Sequence, residues 1–179
     1  AFLVSSQTYP RKVDFLVISA LSSLAQSLHK FSLDFRILQS PPFGEFKEPR
    51  KKLQVGSSAM PFKRNPIMNE RISSLTRYMS SFLNVASSNS SNSILERTLD
   101  DSANRRLFIP ESFLALDECL MLYSEILSGM EISEANIKKN LEIYGPFALL
   151  EPIMMDLSKQ GKNRQIIHEE FRKISLKAW

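Results

Sequence analysis

Between Gly56 and Pro66 the chain reads Gly-Ser-Ser-Ala-Met-Pro-Phe-Lys-Arg-Asn-Pro, the densest set of chemically capable groups in the sequence. Gly56, Pro61 and Pro66 keep the stretch out of regular helix and strand. Ser57 and Ser58 can accept protons or act as nucleophiles only where neighbours lower the cost of an alkoxide, and Lys63 and Asn65 are the donors at hand. Together these groups suit the stabilisation of a developing anion. A plainer reading stays open for Asn65: Asn65-Pro66 ahead of Ile67, Met68, Glu70, Ile72 and Leu75 also makes a good helix start. Asn65 would then be the N-cap and Pro66 the first helical residue.

The loop resembles, nearly letter for letter, the Gly-Ser-Ser-x-Met-Pro-x-Lys-x-Asn-Pro signature of the fumarase/aspartase superfamily of lyases. The resemblance implies that Ser57 is a general base that removes a proton from the carbon next to a carboxylate. It implies that Lys63 and Asn65 hold the carboxylate and the aci-carboxylate formed from it, that Ser58 and Met60 contact substrate, and that Glu70 orients or polarises the loop. Fumarate leaves as the product of elimination. The magnitudes agree: a general base contributes about 100- to 10,000-fold, and one oriented oxyanion donor about 100- to 1,000-fold. Phe62 departs from the His or Tyr that relatives often carry, which alters the loop's surroundings rather than its donors.

Three further stretches resemble the adenylosuccinate lyase branch of that superfamily. They are Ser6-Gln7-Thr8-Tyr9-Pro10-Arg11-Lys12, residues 96 to 106 (Glu-Arg-Thr-Leu-Asp-Asp-Ser-Ala-Asn-Arg-Arg), and Arg64 with the continuation from Pro66 to Arg71. The likeness runs over roughly residues 5 to 175. It implies that Arg97, Ser102 and Arg106 contact a nucleotide phosphate and ribose, that Arg71 assists at the phosphate, and that Gln7 sits near the bond that breaks. A substrate bearing a phosphate and two added carboxylates needs several fixed donors, and arginine supplies them in bidentate form. For each of these residues the alternative is a solvated helix face or an i, i+4 ion pair, worth about 0.2–0.5 kcal/mol. Asp100 and Asp101 could orient Arg105 or Arg106, cap the next helix, or bind nothing, and no His or third acid at ligand spacing makes them a metal site. The resemblance implies no metal or organic cofactor, a small anionic nucleotide as substrate, and a homotetramer whose sites are each built from three subunits. The substrates it implies are adenylosuccinate, cleaved to AMP and fumarate, and the related succinyl-carboxamide ribotide of purine biosynthesis.

Such an elimination also needs an acid for the departing nitrogen. The family uses a histidine on a segment that would lie before residue 1. His29, among Leu28, Phe31 and Leu33, reads as a packing or surface histidine, and His168 as a structural position. The family's amino-terminal domain is likewise expected ahead of this chain, which then corresponds to a C-terminal portion.

At 179 residues and 43% hydrophobic content the chain can bury one sizeable core. Cys119, the single cysteine, excludes an internal disulfide and fits a reducing compartment. The apolar run 13 to 21 contains Asp14 and Ser19 and is too short to span a bilayer. The net charge of +4 is dispersed, and the basic run 47 to 52 is mixed with Glu45 and Glu48 and reads as a solvated surface rather than a nucleic-acid stripe. These features predict a soluble cytoplasmic protein that binds neither nucleic acid nor membrane.

Several elements must position these groups. Val17, Leu21, Leu24, Leu28, Phe31, Phe35 and Leu38 recur at alternating spacings of four and three, which predicts a helix from about Tyr9 to Gln39. A helix of about 30 residues is ~45 Å long and needs partners along its length. A second helix is expected from Pro66 to about Asn84, ending before the Ser/Asn run 87 to 93, which reads as a kink or loop. A third, striped by Phe113, Leu116, Leu120, Tyr123 and Leu127, is expected from Pro110 to a stop at Gly129. Shorter helices follow at 133–144, 147–159 and 164–177, punctuated by Gly145-Pro146 and Gly161. With no strand alternation and no internal repeat, the fold class is all-α. Residues 1–130 form a long-helix bundle continuing a central domain, and 131–179 form a small helical C-terminal domain.

Two competing readings remain. A lyase of the same superfamily acting on argininosuccinate or malate would not need the cluster from Arg97 to Arg106. A non-catalytic helical oligomerisation module would tolerate Ser57→Ala and Lys63→Ala with no effect beyond stability. With the acid expected outside these residues, the 179-residue chain alone should release no fumarate from adenylosuccinate in an absorbance assay. Turnover by the pure chain would refute the missing-acid argument.

Overall fold

The computed structural model describes residues 2–50, 60 and 63–178, and among them the chain is helical almost throughout. Three long helices, α1 (Lys12–Gln39), α2 (Ile67–Ser91) and α3 (Ser102–Gly129), precede three shorter ones, α4 (Glu134–Ala148), α5 (Leu150–Lys159) and α6 (Arg164–Ala178). One two-residue antiparallel pair, β1 (Phe46–Lys47) with β2 (Glu131–Ile132), sets Phe46 opposite Ile132. The chain divides into two compact units, residues 1–132 and 133–179. The all-α expectation holds, and so does the change from long to short helices after Gly129.

Within the first unit α2 runs antiparallel to both α1 and α3. Ser32 meets Asn69 and Ser73, His29 meets Thr76, and Ile18 packs against Ala86, so α1 ascends as α2 descends. Arg71 pairs with Glu118 and Asn89 with Asn104, which gives the same relation between α2 and α3. The core between them holds Phe35, Ile72, Met79, Leu116 and Ile126, with the Phe31 and Tyr123 rings edge to face at 4.8 Å.

The helical stripes face differently from the sequence expectation. On α1 the buried line is Asp14, Ile18, Ser22, Ala25, Leu28, Ser32 and Phe35, while Val17 and Leu24 are 39% and 44% exposed. On α3 the buried line is Phe108, Ser112, Leu116, Cys119, Leu122 and Ile126, and Phe113, Leu120 and Leu127 face outward. Small side chains lie inside because they let backbones approach: Ser32 Oγ donates to the Asn69 carbonyl and lies 2.6 Å from Ser73 Oγ. A stripe chosen by side-chain bulk alone misses that seam.

Three helix boundaries also differ. The Ser/Asn run continues α2 through Ser91, because Ser90, Ser91 and Asn92 donate back to the carbonyls of Ser87 and Ser88 instead of competing with the helix, and Asn89 and Asn104 exchange side-chain bonds with α3. Helix α3 begins at Ser102 and carries Pro110 within it, on an exposed face where water can serve the carbonyl left without a donor. Helix α4 likewise passes through Gly145 and Pro146. In the second unit Ser133 caps α4, Asn163 Oδ1 accepts the N–H groups of Gln165 and Ile166 at the start of α6, and Gly161 turns with φ +86°.

The start of α2 is not capped by Asn65. The helix begins at Ile67, with Pro66 in the cap position and no side-chain cap bond of its own. Its first N–H groups are held by Glu48: Oε2 accepts from Met68 N at 3.1 Å, and Oε1 accepts from Asn69 N and Asn69 Nδ2, both at 2.7 Å. Glu48 is only 8% exposed, so it leaves the solvated surface expected for the run 47 to 52. A carboxylate at a helix N-terminus satisfies donors that have no intrahelical partner and complements the helix dipole.

Two outcomes follow from this packing. Burial pushes the Cys119 thiol up to about 11, so in the folded chain it should react with iodoacetamide near pH 8 far more slowly than a free thiol; rapid stoichiometric labelling without denaturant would contradict the core described. Burial also holds the Glu48 carboxyl above its ordinary 4.5, against the hydrogen bonds from Asn69 and Met68. A raised acid binds its proton more tightly folded than unfolded, so this contribution to stability is full below about 4.5 and is lost as pH rises through the folded value. The stability of the native chain relative to Glu48→Gln should therefore fall as pH rises from 4.5 toward neutrality in denaturant titrations, and a rise would mean that the N–H donors outweigh burial.

Candidate active site

Antiparallel packing sorts the predicted site residues onto opposite ends of the three-helix unit. At one end, where α1 finishes and α2 starts, Lys63, Asn65 and Glu70 line a cleft of about 770 Å³ together with Arg36, Lys47 and Arg64. Four cations thus surround one carboxylate, an environment that holds anions by charge rather than by a single pair. Gln39 closes the base of the cleft by donating from Nε2 to the Arg64 carbonyl at 3.1 Å. Met60 is exposed, and its carbonyl accepts the Lys63 N–H at 3.0 Å. Ser57 and Ser58, with Phe62, lie outside the described residues. Arg71 points away from this cleft to Glu118, at 3.3 Å and 59% exposed, an ion pair of the solvated kind worth less than about 1 kcal/mol.

The other end joins the chain start to the segment ahead of α3. A pocket of about 310 Å³ is lined by Ser6, Thr8, Tyr9, Arg11, Glu96 and Arg97 among others, and the Gln7 N–H donates to Glu96 Oε1 at 3.3 Å. Ser102 opens α3, its N–H donating to the Leu99 carbonyl, and Arg106 is exposed one turn further on. A buried-edge ionic network holds the two segments together. Arg11 Nε donates to Asp101, Arg105 Nε to Asp14 Oδ2 at 2.6 Å, and Tyr9 OH to Asp14 Oδ1 at 2.8 Å. Burial, and then the Asp14 carboxylate beside it, raises the Tyr9 hydroxyl above its ordinary value, so it stays a donor. The hydrogen bond to Asp14 raises Arg105.

Sequence reasoning placed Asp101 as a possible partner of Arg105 or Arg106, but Arg11 takes it and Arg105 goes to Asp14. Tyr9, Arg11 and Asp14 were given no such role. Asp14 within the apolar run 13 to 21 was the one signal of a buried pair, and it names no partner. Asp100 is exposed, its N–H donating to Thr98 Oγ1, and among the described residues no group of three or more His, Cys, Asp and Glu could hold a metal. His29 sits midway along α1 with Nδ1 3.0 Å from Thr76 Oγ1, and His168 is exposed on α6. Neither belongs to a cleft at an end of the bundle.

The two ends are separated by the length of α1, 28 residues or about 42 Å. Within one chain, Lys63, Asn65 and Glu70 line one cleft, Arg97 lines the pocket at the other end with the Gln7 N–H on Glu96 beside it, and the two sets do not meet.

Comparison with known proteins places this arrangement. Residues 5–78 match a family model described as Lyase. Adenylosuccinate lyase of Schistosoma mansoni is 44% identical over 179 residues, 99% of this chain and 37% of that protein. The Saccharomyces cerevisiae adenylosuccinate lyase is 40% identical over 98% of the chain and 36% of its own length, and that of Pyrococcus abyssi is 37% identical over 98% and 39%. The chain thus spans little more than a third of the length of these relatives. Among solved structures, a fumarate lyase from Mesorhizobium sp. BNC1 superposes with a TM-score of 0.73 at 20% identity, over 91% of this chain and 34% of the other, which bears on the fold alone. The likeness runs along nearly the whole chain, through both clusters of site residues, and together with the Lyase family match over residues 5–78 it makes the adenylosuccinate lyases the relatives of this chain.

Proposed function

We infer that this chain is part of an adenylosuccinate lyase that eliminates fumarate from adenylosuccinate, leaving AMP, and from the related succinyl-carboxamide ribotide of purine biosynthesis. The cleft at the α1/α2 end carries the chemistry. Ser57 removes a proton from the carbon beside a carboxylate of the succinyl group, and Lys63 and Asn65 hold the aci-carboxylate that results, with Ser58 and Met60 against the substrate and Glu70 orienting the loop. The carbanion pair then forms the carbon–carbon double bond of fumarate as the carbon–nitrogen bond breaks, and the nitrogen takes its proton from an acid outside these residues. The pocket at the other end carries the nucleotide. Arg97, Ser102 and Arg106 meet phosphate and ribose and Gln7 approaches the bond that breaks, while Arg71, at the α1/α2 end of its own chain, exchanges Glu118 for the phosphate held by a neighbouring chain. Residues 1–130 would belong to a central bundle domain and 131–179 to a small C-terminal domain of a cytoplasmic enzyme.

The observation that carries this reading is the separation of the two sets by about 42 Å of helix. A substrate of nucleotide size cannot bridge it, so a working site needs the chemical end of one chain beside the nucleotide end of another. That supports a homotetramer with shared sites, with Val17 and Leu24, two turns apart on one side of α1, left exposed for a neighbouring chain. A related lyase acting on argininosuccinate or malate would have no use for the second pocket.

Three variants of the whole enzyme test the reading. Ser57→Ala should remove nearly all turnover. Arg106→Leu should weaken adenylosuccinate binding by orders of magnitude, because it leaves phosphate charge unpaired. Lys63→Ala and Arg106→Leu enzymes, dissociated and reassembled together, should release fumarate faster than either alone, since some mixed sites escape both changes. Normal turnover in Ser57→Ala, or no recovery in verified hybrids, would defeat the proposal.

A further inference from the structure

Gln39 is the last residue of α1, and its carboxamide is engaged on both sides. Oε1 accepts the Glu48 N–H at 2.8 Å, and Nε2 donates to the Arg64 carbonyl at 3.1 Å. One planar group therefore fixes the backbone at two distant points of the chain. From Glu48 the contacts continue, because its carboxylate holds the N–H groups of Met68 and Asn69 in the first turn of α2. The consequence lies in the neighbours of the held atoms. Lys63 and Asn65 flank Arg64, and Glu70 follows Asn69. All three line the cleft, and each is one residue away from a residue that Gln39 or Glu48 grips.

The arrangement is an expensive way to start a helix. A serine or aspartate in the cap position would satisfy the same donors at the surface, whereas Glu48 is nearly buried and burial holds its carboxyl above the ordinary range. Asn69 is wholly buried, and its Oδ1 finds no hydrogen-bond partner among the described residues. Leaving such an oxygen unpaired forfeits its hydration with nothing in return. Departures of this kind from the rules of a stable fold are kept where position matters more than stability.

We propose that Gln39 and Glu48 are positioning residues for the elimination, holding the Arg64 carbonyl and the first turn of α2 so that Lys63, Asn65 and Glu70 face one point of the cleft. This rests on the proposed lyase reading. Neither residue performs a chemical step; both act through the backbone on either side of Pro66. Near-attack geometry makes such support matter, since a displacement of about 1 Å can cost about 100-fold in rate.

The test uses the whole enzyme that contains this chain. Gln39→Met keeps length and bulk while removing both hydrogen bonds, and Glu48→Gln keeps one acceptor oxygen. Gln39→Met should lower kcat about 100-fold with KM for adenylosuccinate nearly unchanged, because the nucleotide pocket lies at the far end. Glu48→Gln should lose less than Glu48→Leu. Hydrogen exchange at the amides of Glu48, Met68 and Asn69 should quicken, with the amides from Ile72 to Met79 unaffected. A purely structural role predicts something else: activity lost in step with Tm, exchange quickened along all of α2, and a normal kcat per folded site. That result, or normal kcat in Gln39→Met, overturns the proposal. If Glu48→Leu does not fold, Gln39→Met decides. If the unmodified enzyme makes no fumarate from adenylosuccinate, the functional reading fails instead, and unchanged exchange at Met68 and Asn69 in Gln39→Met would then refute the latch separately.

Discussion

The seam between α1 and α2 is the contact on which the rest of this molecule depends. Ser32 reaches both the Asn69 carbonyl and Ser73, with Ala25 and Ser22 further along α1 buried in the same line. Small residues bring the two backbones close, and closely packed backbones have few alternative registers, because a shift would set Phe35 or Ile72 against another large side chain. Register in turn sets the ends. Once Ser32 lies on Asn69, Gln39 must lie beside Arg64, and the cleft with Lys63 and Asn65 forms at that end and no other. The chain start is carried the length of α1 away, to where Arg11 and Asp14 meet Asp101 and Arg105.

Charge is handled differently at the two ends. At the chain-start end Arg11 and Arg105 are each matched by a buried aspartate, and Tyr9 closes the network through its hydroxyl. Paired in this way they are structural, and they tie the start of α1 to the start of α3. At the α2 end Arg36, Lys47, Lys63 and Arg64 line one cleft with Glu70, and with Lys47 also reaching Glu131 at 3.9 Å the cations still outnumber the carboxylates there. Such a surplus destabilises a fold slightly and attracts anions strongly, the balance expected where a polyanionic substrate is to be bound.

How far this could be read from the sequence depends on which physical scale carried the signal. Helix existence was legible, since periodicity and the Pro and Gly breaks report local backbone preference, and the stop at Gly129 and the start at Arg164 fall where they were expected. Which face of each helix turns inward was not. Large apolar residues mark two lines on α1, and the choice between Val17 and Ile18 is made by the fit of Ala25 and Ser32 to another helix, a tertiary matter. The Ser/Asn run shows the same limit from the other side, since side chains able to break a helix were turned back onto its carbonyls by packing on α3. The cleft residues Lys63, Asn65 and Glu70 stood out as a linear motif. Gln39 and Glu48 did not, because a glutamine at a helix end and a glutamate in a basic run look like solvated surface until the chain brings them to Arg64 and Asn69.

The line that α1 leaves outside completes the logic of that seam. Val17 and Leu24, two turns apart on one side of α1, remain exposed along a helix whose inner face is already filled by α2 and α3. A helix serving one core has no need of a second apolar face, and exposing one to water costs roughly 25 cal/mol per Å² relative to covering it. The same residues make sense if α1 packs inward through a line in which Ser22, Ala25 and Ser32 alternate with Ile18, Leu28 and Phe35, so that it fixes register within the chain while leaving Val17 and Leu24 for another copy on the proposed reading. Length then serves the chemistry proposed for this molecule. On the proposed reading an element of about 42 Å keeps the two half-sites of one chain apart, and a neighbouring chain would supply the missing half.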